Sequence, residues 1–411
     1  MVLYTEEYKL NTDIIICGGA LAGMTLALSL QQKGFDVVII DPRTLKETLQ
    51  QDKRTTAIAE GPRKFYANLG VWEKLKNKAE AIKTISILDG SSSISLDFDY
   101  RDFVSKNIPI NIKSLGHVVE NCDLINQINL KINNIKTSGS VKRINSKVID
   151  IKVDKFQAKV FLENSNNISA NLIVAADGKN SLIRKLVGIK ETKSIYNQEA
   201  YVTQILHKKN HNNIALEKFL PGGPLAVLPM KKYKKNYRSA IIWSDDKATS
   251  RSRLRASKTS PEMISYELER HCYNWLGDIK IQGLPNVFPL ELIKPKNIVS
   301  ERLVLMGDAA HSIHPIAGQG FNLSLRGMEI FSEMCSKRAA LGLDVGSIKF
   351  LKEYEKSRKI DIITLVNATH GLNELFRNST PYVKAFRRLG LSAVNKTPFL
   401  KRAFMKYAMG V

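Results

Sequence analysis

Residues 13 to 40 constrain the fold more than any other stretch of the chain. Asp13 to Cys17 reads as a short apolar strand, Ala20 to Lys33 as a helix rich in Ala, Leu and Met that ends at Gly34, and Asp36 to Ile40 as a second strand. Strand, glycine turn, helix and strand within about 30 residues form a βαβ unit, whose parallel strands require a right-handed crossover. A chain that opens this way builds a parallel sheet covered by helices.

The turn itself is informative. In DIIICGGALAG, residues 13 to 23, Gly18, Ala20 and Gly23 stand at the three positions of G-x-G-x-x-G. The first glycine permits the tight connection and the last lets helix and strand pack closely. The unpaired N–H groups of the helix N-terminus favour an anion such as a pyrophosphate. Asp41, at the end of the second strand, suits ribose hydroxyls. Ala20 replaces the glycine that allows the closest backbone approach, so an ordinary glycine-rich turn stays open on this motif alone.

Two further loops have the same punctuation. LIVAADGKNSLIR, residues 172 to 184, runs an apolar strand into Asp177 and Gly178 and then into a helix start near Ser181, which reads equally well as a turn and a simple N-cap. RLVLMGDAAHSIHPIAGQGFNLSLRG, residues 302 to 327, says more. A buried strand delivers Gly307 and Asp308 into a loop, and Gly318 and Gly320 allow tight turns before a new helix. An aspartate there can accept hydrogen bonds from hydroxyls, and the helix dipole favours a reduced, anionic ring system.

Between these loops the pattern predicts helices at residues 55 to 69 and 123 to 131, and strands from 146 to 175 with a hairpin turn at Asn164 to Asn167. Residues 196 to 299 read mainly as short strands, such as 225 to 228 and 239 to 243, with one helix near 261 to 275. After a strand at 302 to 306 the remainder to Val411 is helical. No internal repeat is evident.

Composition removes several classes of function. With 411 residues, 44% hydrophobic and 25% charged, the chain is neither disordered nor a small adaptor. Its net charge of +23 attracts anionic lipid, nucleic acid and acidic cofactors. The lysine clusters at Lys231 to Lys235 and Lys401 to Lys406 lack the interleaved aromatics of a stacking platform, so solvated faces are preferred and no nucleic-acid partner is expected. Cys17, Cys122, Cys272 and Cys335 show no paired spacing, which suits a reducing cytoplasm. Ile14 to Leu30 is too short and glycine-rich for a membrane span, and Glu6, Glu7 and Asp13 disfavour a signal peptide. His311 and His314 lack the further ligands a metal site needs, and neither a serine-nucleophile nor a P-loop string is present.

In this order and spacing, the three loops resemble those of FAD-dependent class A aromatic monooxygenases, and within them the ubiquinone-biosynthesis hydroxylases of the UbiH type. HPIAGQGFNLSLR, residues 314 to 326, is close to that family's signature. DKRTTAIA (52 to 59), LGHVVEN (115 to 121), PLAVLPM (224 to 230) and the FMKYAMG ending also match in order.

The resemblance implies an α/β fold: a discontinuous Rossmann-like FAD-binding domain (1–195 and 297–370), a mainly antiparallel β-sheet substrate domain (196–296) and a C-terminal helical region (371–411). It implies that Gly18 and Gly23 flank the FAD pyrophosphate, Asp41 holds the adenosine ribose and Arg54 neutralises phosphate. Asp177 and Gly178 would help seat the cofactor and Asp308 would meet the ribityl chain. Pro315, Gly318, Gly320 and Asn322 would lie along the isoalloxazine ring, with His117 nearby. The implied reaction hydroxylates the aromatic ring of a polyprenyl phenol through a flavin 4a-hydroperoxide, with dioxygen consumed and NAD(P)H as reductant. No side chain is identified as a catalytic base. A long-chain substrate implies a cytoplasmic enzyme at the inner-membrane surface, alongside other ubiquinone-biosynthesis proteins. The basic, aromatic residues 381 to 411 suit anionic lipid or simply a packed helix with a solvated face. A related hydroxylase of another aromatic compound, or a non-catalytic basic binding protein on the same fold, are the competing expectations.

Overall fold

The computed structural model describes residues 9–90, 95–103, 112–313, 318–377 and 380–411. The opening βαβ unit is Lys9–Cys17, the helix Leu21–Gln32 and Val37–Ile40, with the two strands parallel. Lys9–Cys17 pairs on its other side with Asn167–Ala175, which in turn pairs with Leu303–Leu305, both in parallel. Val37–Ile40 carries Val141–Ile144 at the far edge, and Val148–Val153 and Ala158–Leu162 extend the sheet in antiparallel fashion. Ile14, Ile15, Ile16, Leu172, Ile173 and Val174 are wholly buried, because helices and the antiparallel extension cover both faces of these strands. Helix Leu21–Gln32 is apolar on nearly all sides for the same reason, and it meets Gln319–Ala340 through a Ser29–Ser332 hydroxyl hydrogen bond of 2.8 Å.

Residues 55 to 69, expected as one helix, divide. Thr55–Ala59 is a strand that pairs with Gly116–Glu120, and only Glu60–Asn68 is helical. The β-branched Thr-Thr-Ala-Ile run fits a pleated, half-buried surface better than a helix, and the tertiary partner decides the matter.

Among the described residues the second sheet has seven strands. Its order is Ile279–Pro295, Glu191–His207, Asn236–Asp246, Gly223–Tyr233, Ile214–Leu220, Thr84–Asp89 and Ser95–Asp99. It therefore extends beyond residues 196 to 296 and takes its last two strands from an excursion at residues 84 to 99. One face packs on helices Lys247–Thr259 and Pro261–Leu276 through Tyr201, Ile205, Leu225, Val227, Ile241 and Trp243. The first of these helices was not legible, since KATSRSRLRASKT has almost no apolar stripe. It is secured instead by Arg253, which lies 3.6 Å above the Trp243 ring and pairs with Asp245 and Glu267. The other face of the sheet packs on Ile82 and on Val118 of strand Gly116–Glu120, and on the helix Ile348–Arg377.

Candidate active site

Three strands that are neighbours in the parallel sheet end side by side, and each delivers one of the three loops. Cys17 leads into Gly18, Ala175 into Asp177, and Leu305 into Gly307 and Asp308. Backbone bonds hold the ends together: Ala176 N–H donates to Cys17 O at 2.7 Å and Met306 N–H to Ala175 O at 2.8 Å. Ligands of open α/β sheets bind at this carboxyl end.

The glycines are fixed by contact. Gly18 has φ +112°, and a side chain on it would run into the Ala176 carbonyl. A Cβ on Gly23 would run into the carbonyl of Gly18, so helix and turn touch at backbone distance. The Ala20 departure sits at the N-cap of Leu21–Gln32, where its backbone is extended and its carbonyl accepts from Met24 N–H at 2.9 Å. The turn therefore closes without a glycine there. Asp41 is buried, and its two carboxylate oxygens accept from Gly19 N–H at 2.7 Å and Arg43 N–H at 2.9 Å. It thereby ties the second strand to the glycine turn.

Asp177 accepts from Ile183 N–H through one oxygen at 3.2 Å, while the other, Oδ1, is buried without a partner. Ser181 caps the following short helix through Arg184 N–H. Gly178 has φ +88° and open space where a side chain would be. Asp308, on the single turn Gly307–Ala309, is exposed at the carboxyl end of the parallel sheet, within reach of the charges of Arg54 and Lys179. Protein around the cleft raises its carboxyl pKa by desolvation, opposed by the charges of Arg54 and Lys179. Arg54 is half-exposed, held by two 2.8 Å bonds to Asp52, and lies 5.7 Å above the Phe288 ring of the second sheet.

Gly318 takes a left-handed conformation (φ +60°) at the start of Gln319–Ala340, packed on Ala57, with Gly320 against Ile313. Asn322 is buried. Its Oδ1 accepts from Ala59 N–H at 2.9 Å, and its Nδ2 donates to Ala57 O at 2.8 Å and Gly318 O at 3.0 Å. The whole amide thus clamps the glycine loop to strand Thr55–Ala59. His117 lies on the neighbouring strand opposite Ile58, edge-on to Trp72 at 4.9 Å. Its Nδ1 is buried without a partner, and burial, aided by Arg63 and Lys231, pushes its pKa down to about 4. His311 behaves likewise, with burial taking it to about 4. His314 and Pro315 lie outside the described residues.

The sequence reading missed Arg143. Its guanidinium donates to Gly19 O at 2.9 Å and Arg43 O at 2.8 Å, placing a positive charge at the glycine turn beside Asp41. Only the position of Val141–Ile144 next to the second strand reveals it. Lys179, which donates to Pro289 O and pairs with Glu291, was also missed.

These residues suit FAD. An orphaned buried aspartate oxygen, a glycine cradle with no space for side chains, the helix N-terminus and the Asp308 cleft flanked by Arg54 and Lys179 are the complements of a dinucleotide carrying phosphates and many hydroxyls. The chain matches the FAD binding domain family over residues 11–362 and belongs to it. It is an FAD-dependent aromatic-ring monooxygenase of the ubiquinone hydroxylase group. It is 33% identical to ubiquinone hydroxylase UbiL of Rhodospirillum rubrum, over 97% of this chain and 89% of that protein. It is also 27% identical to the 3-demethoxyubiquinol 3-hydroxylase of Escherichia coli, over 97% and 99% respectively. In fold it is similar to the p-nitrophenol 4-monooxygenase PnpA of Pseudomonas putida, with a TM-score of 0.78 at 15% identity, covering 98% of each chain.

Proposed function

We propose that this enzyme hydroxylates the ring of a polyprenylated phenol on the way to ubiquinone, with dioxygen as co-substrate and NAD(P)H as reductant. The supporting observation is the convergence of the three loops beside strand Ile279–Pro295 of the second sheet, where Arg54 lies over the Phe288 ring and Lys179 donates to Pro289 O. FAD, when bound, supplies the redox chemistry and the activation of dioxygen. The chain's own residues bind, orient and exclude water. In this reading Gly18 and Gly23 admit the pyrophosphate, and Asp41 and Arg143 frame the adenosine end. Arg54, Asp177, Gly178 and Asp308 seat the middle of the cofactor, and Gly318 and Gly320, clamped by Asn322, present their backbone to the ring system. His117 and Pro315 complete the set. A row of cross-strand partners, Ile87, Glu217, Ala226, Ile242 and Val202, gives the cleft a largely apolar floor that keeps water from the reacting ring.

No helix among the described residues is long and apolar enough to cross a membrane. For a lipid-borne substrate we assign the approach surface to the C-terminal helices Pro381–Lys396 and Pro398–Met409. Met405 and Met409 bury one side of the last helix, while Tyr382, Leu389, Phe399 and Phe404 stand exposed beside Lys396, Arg402 and Lys406.

The test is product analysis. The FAD-loaded protein, supplied with NADPH and a short-chain polyprenyl phenol, should return that phenol with one added oxygen. Conversion of only non-prenylated aromatics would instead place the substrate elsewhere. Replacing NADPH with a reduced ferredoxin separates a protein electron donor from a nicotinamide one.

A further inference from the structure

Helix Ile348–Arg377 roofs part of the inner sheet face. Its covered side carries Leu365, Val366, Thr369, Asn373 and Phe376, all buried. The Thr369 hydroxyl is spent on the helix itself, donating to Leu365 O at 2.9 Å. Asn373 is different. It is 1% exposed, and neither its Oδ1 nor its Nδ2 has a hydrogen-bond partner.

Its position follows from two anchors. One turn earlier, His370 Nδ1 lies 3.1 Å from the hydroxyl of Tyr196 on strand Glu191–His207. One turn later, Phe376 stacks on Phe219 of strand Ile214–Leu220, with centroids 3.6 Å apart. Two strands, Asn236–Asp246 and Gly223–Tyr233, separate these anchors. A helix advancing about 1.5 Å per residue across strands about 4.8 Å apart therefore sets Asn373 over the middle pair. A second underused amide reaches across that pair from strand Glu191–His207: Gln198 donates through Nε2 to Gly222 O at 2.7 Å, but its Oε1 is buried and unpartnered. Immediately beyond, Ile242 and Val202 of the next cross-strand row are only partly buried.

Each unmade bond of a buried amide costs roughly 1–3 kcal/mol, so an apolar side chain at Asn373 would serve the fold better. A site of this kind is explained when a ligand completes it, and such a site rejects analogues that lack the complementary group. Asparagine offers one acceptor and two donors, matching an oxygen substituent on an aromatic ring. Resting on the function proposed above, we infer that Asn373 hydrogen-bonds a hydroxyl or carbonyl oxygen of the substrate ring, fixes its orientation, and so helps select which ring carbon is hydroxylated.

The experiment uses the FAD-loaded full chain, N373L and N373S. Binding of a two-unit prenyl phenol is read by calorimetry, and the share of reducing equivalents lost as hydrogen peroxide is measured during turnover. Both variants should keep wild-type FAD content and substrate-free flavin reduction, and N373L should melt no lower than wild type. Both should bind the phenol at least tenfold more weakly and leak more peroxide. The serine variant keeps the test open if leucine disturbs packing. Affinity and coupling within twofold of wild type in either folded variant would overturn the inference and leave Asn373 holding no more than a buried water. Failure of the wild type to bind or hydroxylate any phenol would instead overturn the proposed function, and this inference with it.

Discussion

The glycine cradle proposed for the cofactor and the inner face of the second sheet are built by opposite means. In the cradle, the decisive atoms belong to the backbone: Gly18 against Ala176, Gly23 against Gly18, and the amides at the head of Leu21–Gln32. In the sheet they are side chains brought together by register, with Ile87, Glu217, Ala226, Ile242 and Val202 drawn from five strands of which one is more than a hundred residues from the others in sequence. At Gly18 and Gly23 the cradle tolerates no added atom, whereas a floor made of side chains can change its preferences residue by residue. That contrast suits a cofactor common to a family and a substrate that varies within it.

The largest expected effect breaks the cradle. G23A forces a methyl group into the Gly18 carbonyl with no flexible neighbour to yield, which should cost at least about 3 kcal/mol and give little soluble, FAD-loaded protein. G188A, just past helix Leu182–Leu186 and outside the cradle, is the matched control. Open space surrounds it and only its left-handed backbone is strained, so a loss of about 1–2 kcal/mol with FAD retained is expected. Equal effects in a thermal melt and a flavin assay would erase the distinction.

The next largest concerns the roof and floor. Arg387 meets Asp89 at 2.8 Å with both side chains buried, and joins helix Pro381–Lys396 to strand Thr84–Asp89. R387M takes this ionic partner from the buried aspartate and should cost about 3–5 kcal/mol in denaturant unfolding while leaving FAD affinity nearly intact. An unchanged midpoint would show the C-terminal helices to be decoration.

Why the cradle was legible and the floor was not follows from the same contrast. Gly18, Gly23, Asp177 and Asp308 announce themselves because a turn at a strand end demands particular residue types in short order. The βαβ start, the strand around 302 to 306 and the helix at Pro261–Leu276 were legible for similar local reasons. Thr55–Ala59 was misread because its strand character depends on Gly116–Glu120, some sixty residues away. Arg143, Lys179, Asn373 and the joining of residues 84 to 99 to the second sheet carry no local signal, since each gains meaning only from a partner chosen by tertiary register. Asn322 stands between the two cases: its place in the glycine loop was evident, but its clamp on Ala57 and Ala59 was not.

Proton linkage sharpens the comparison further. His117, near the cradle, and His207, in the sheet, are both pushed down to about 4 by burial, so the unfolded chain binds more protons between pH 4 and about 6.5. Stability is fully present above that window and is lost as pH falls through it, by up to about 3 kcal/mol for each histidine. His207 is fixed as the neutral form, donating from Nδ1 to Lys209 O and accepting at Nε2 from Ser239, whereas His117 Nδ1 has no partner. H117Q should therefore flatten the acid limb with little cost at neutral pH, and an unaltered limb would deny that His117 is held neutral.

Asp308 should give the smallest shift and the opposite sign. Its raised folded pKa makes the folded apoprotein bind the extra proton, so stability falls as pH rises from the ordinary carboxylate value, about 3.9, through the raised one. D308N should remove this loss and stabilise the apoprotein at neutral pH while weakening FAD binding. A variant that loses stability without FAD would contradict the placement of Asp308 in the cofactor cleft.

One labelled turnover decides whether this chain is a flavin-dependent ring hydroxylase. Protein purified or reconstituted with FAD is mixed with NADPH, a polyprenyl phenol and ¹⁸O₂, and the product is weighed by mass spectrometry. The expected outcome is a yellow protein carrying one FAD per chain and a phenol that gains a single ¹⁸O atom on its ring. A colourless chain that no FAD restores, or a flavoprotein that returns the phenol unlabelled while its oxygen leaves as hydrogen peroxide, would contradict it.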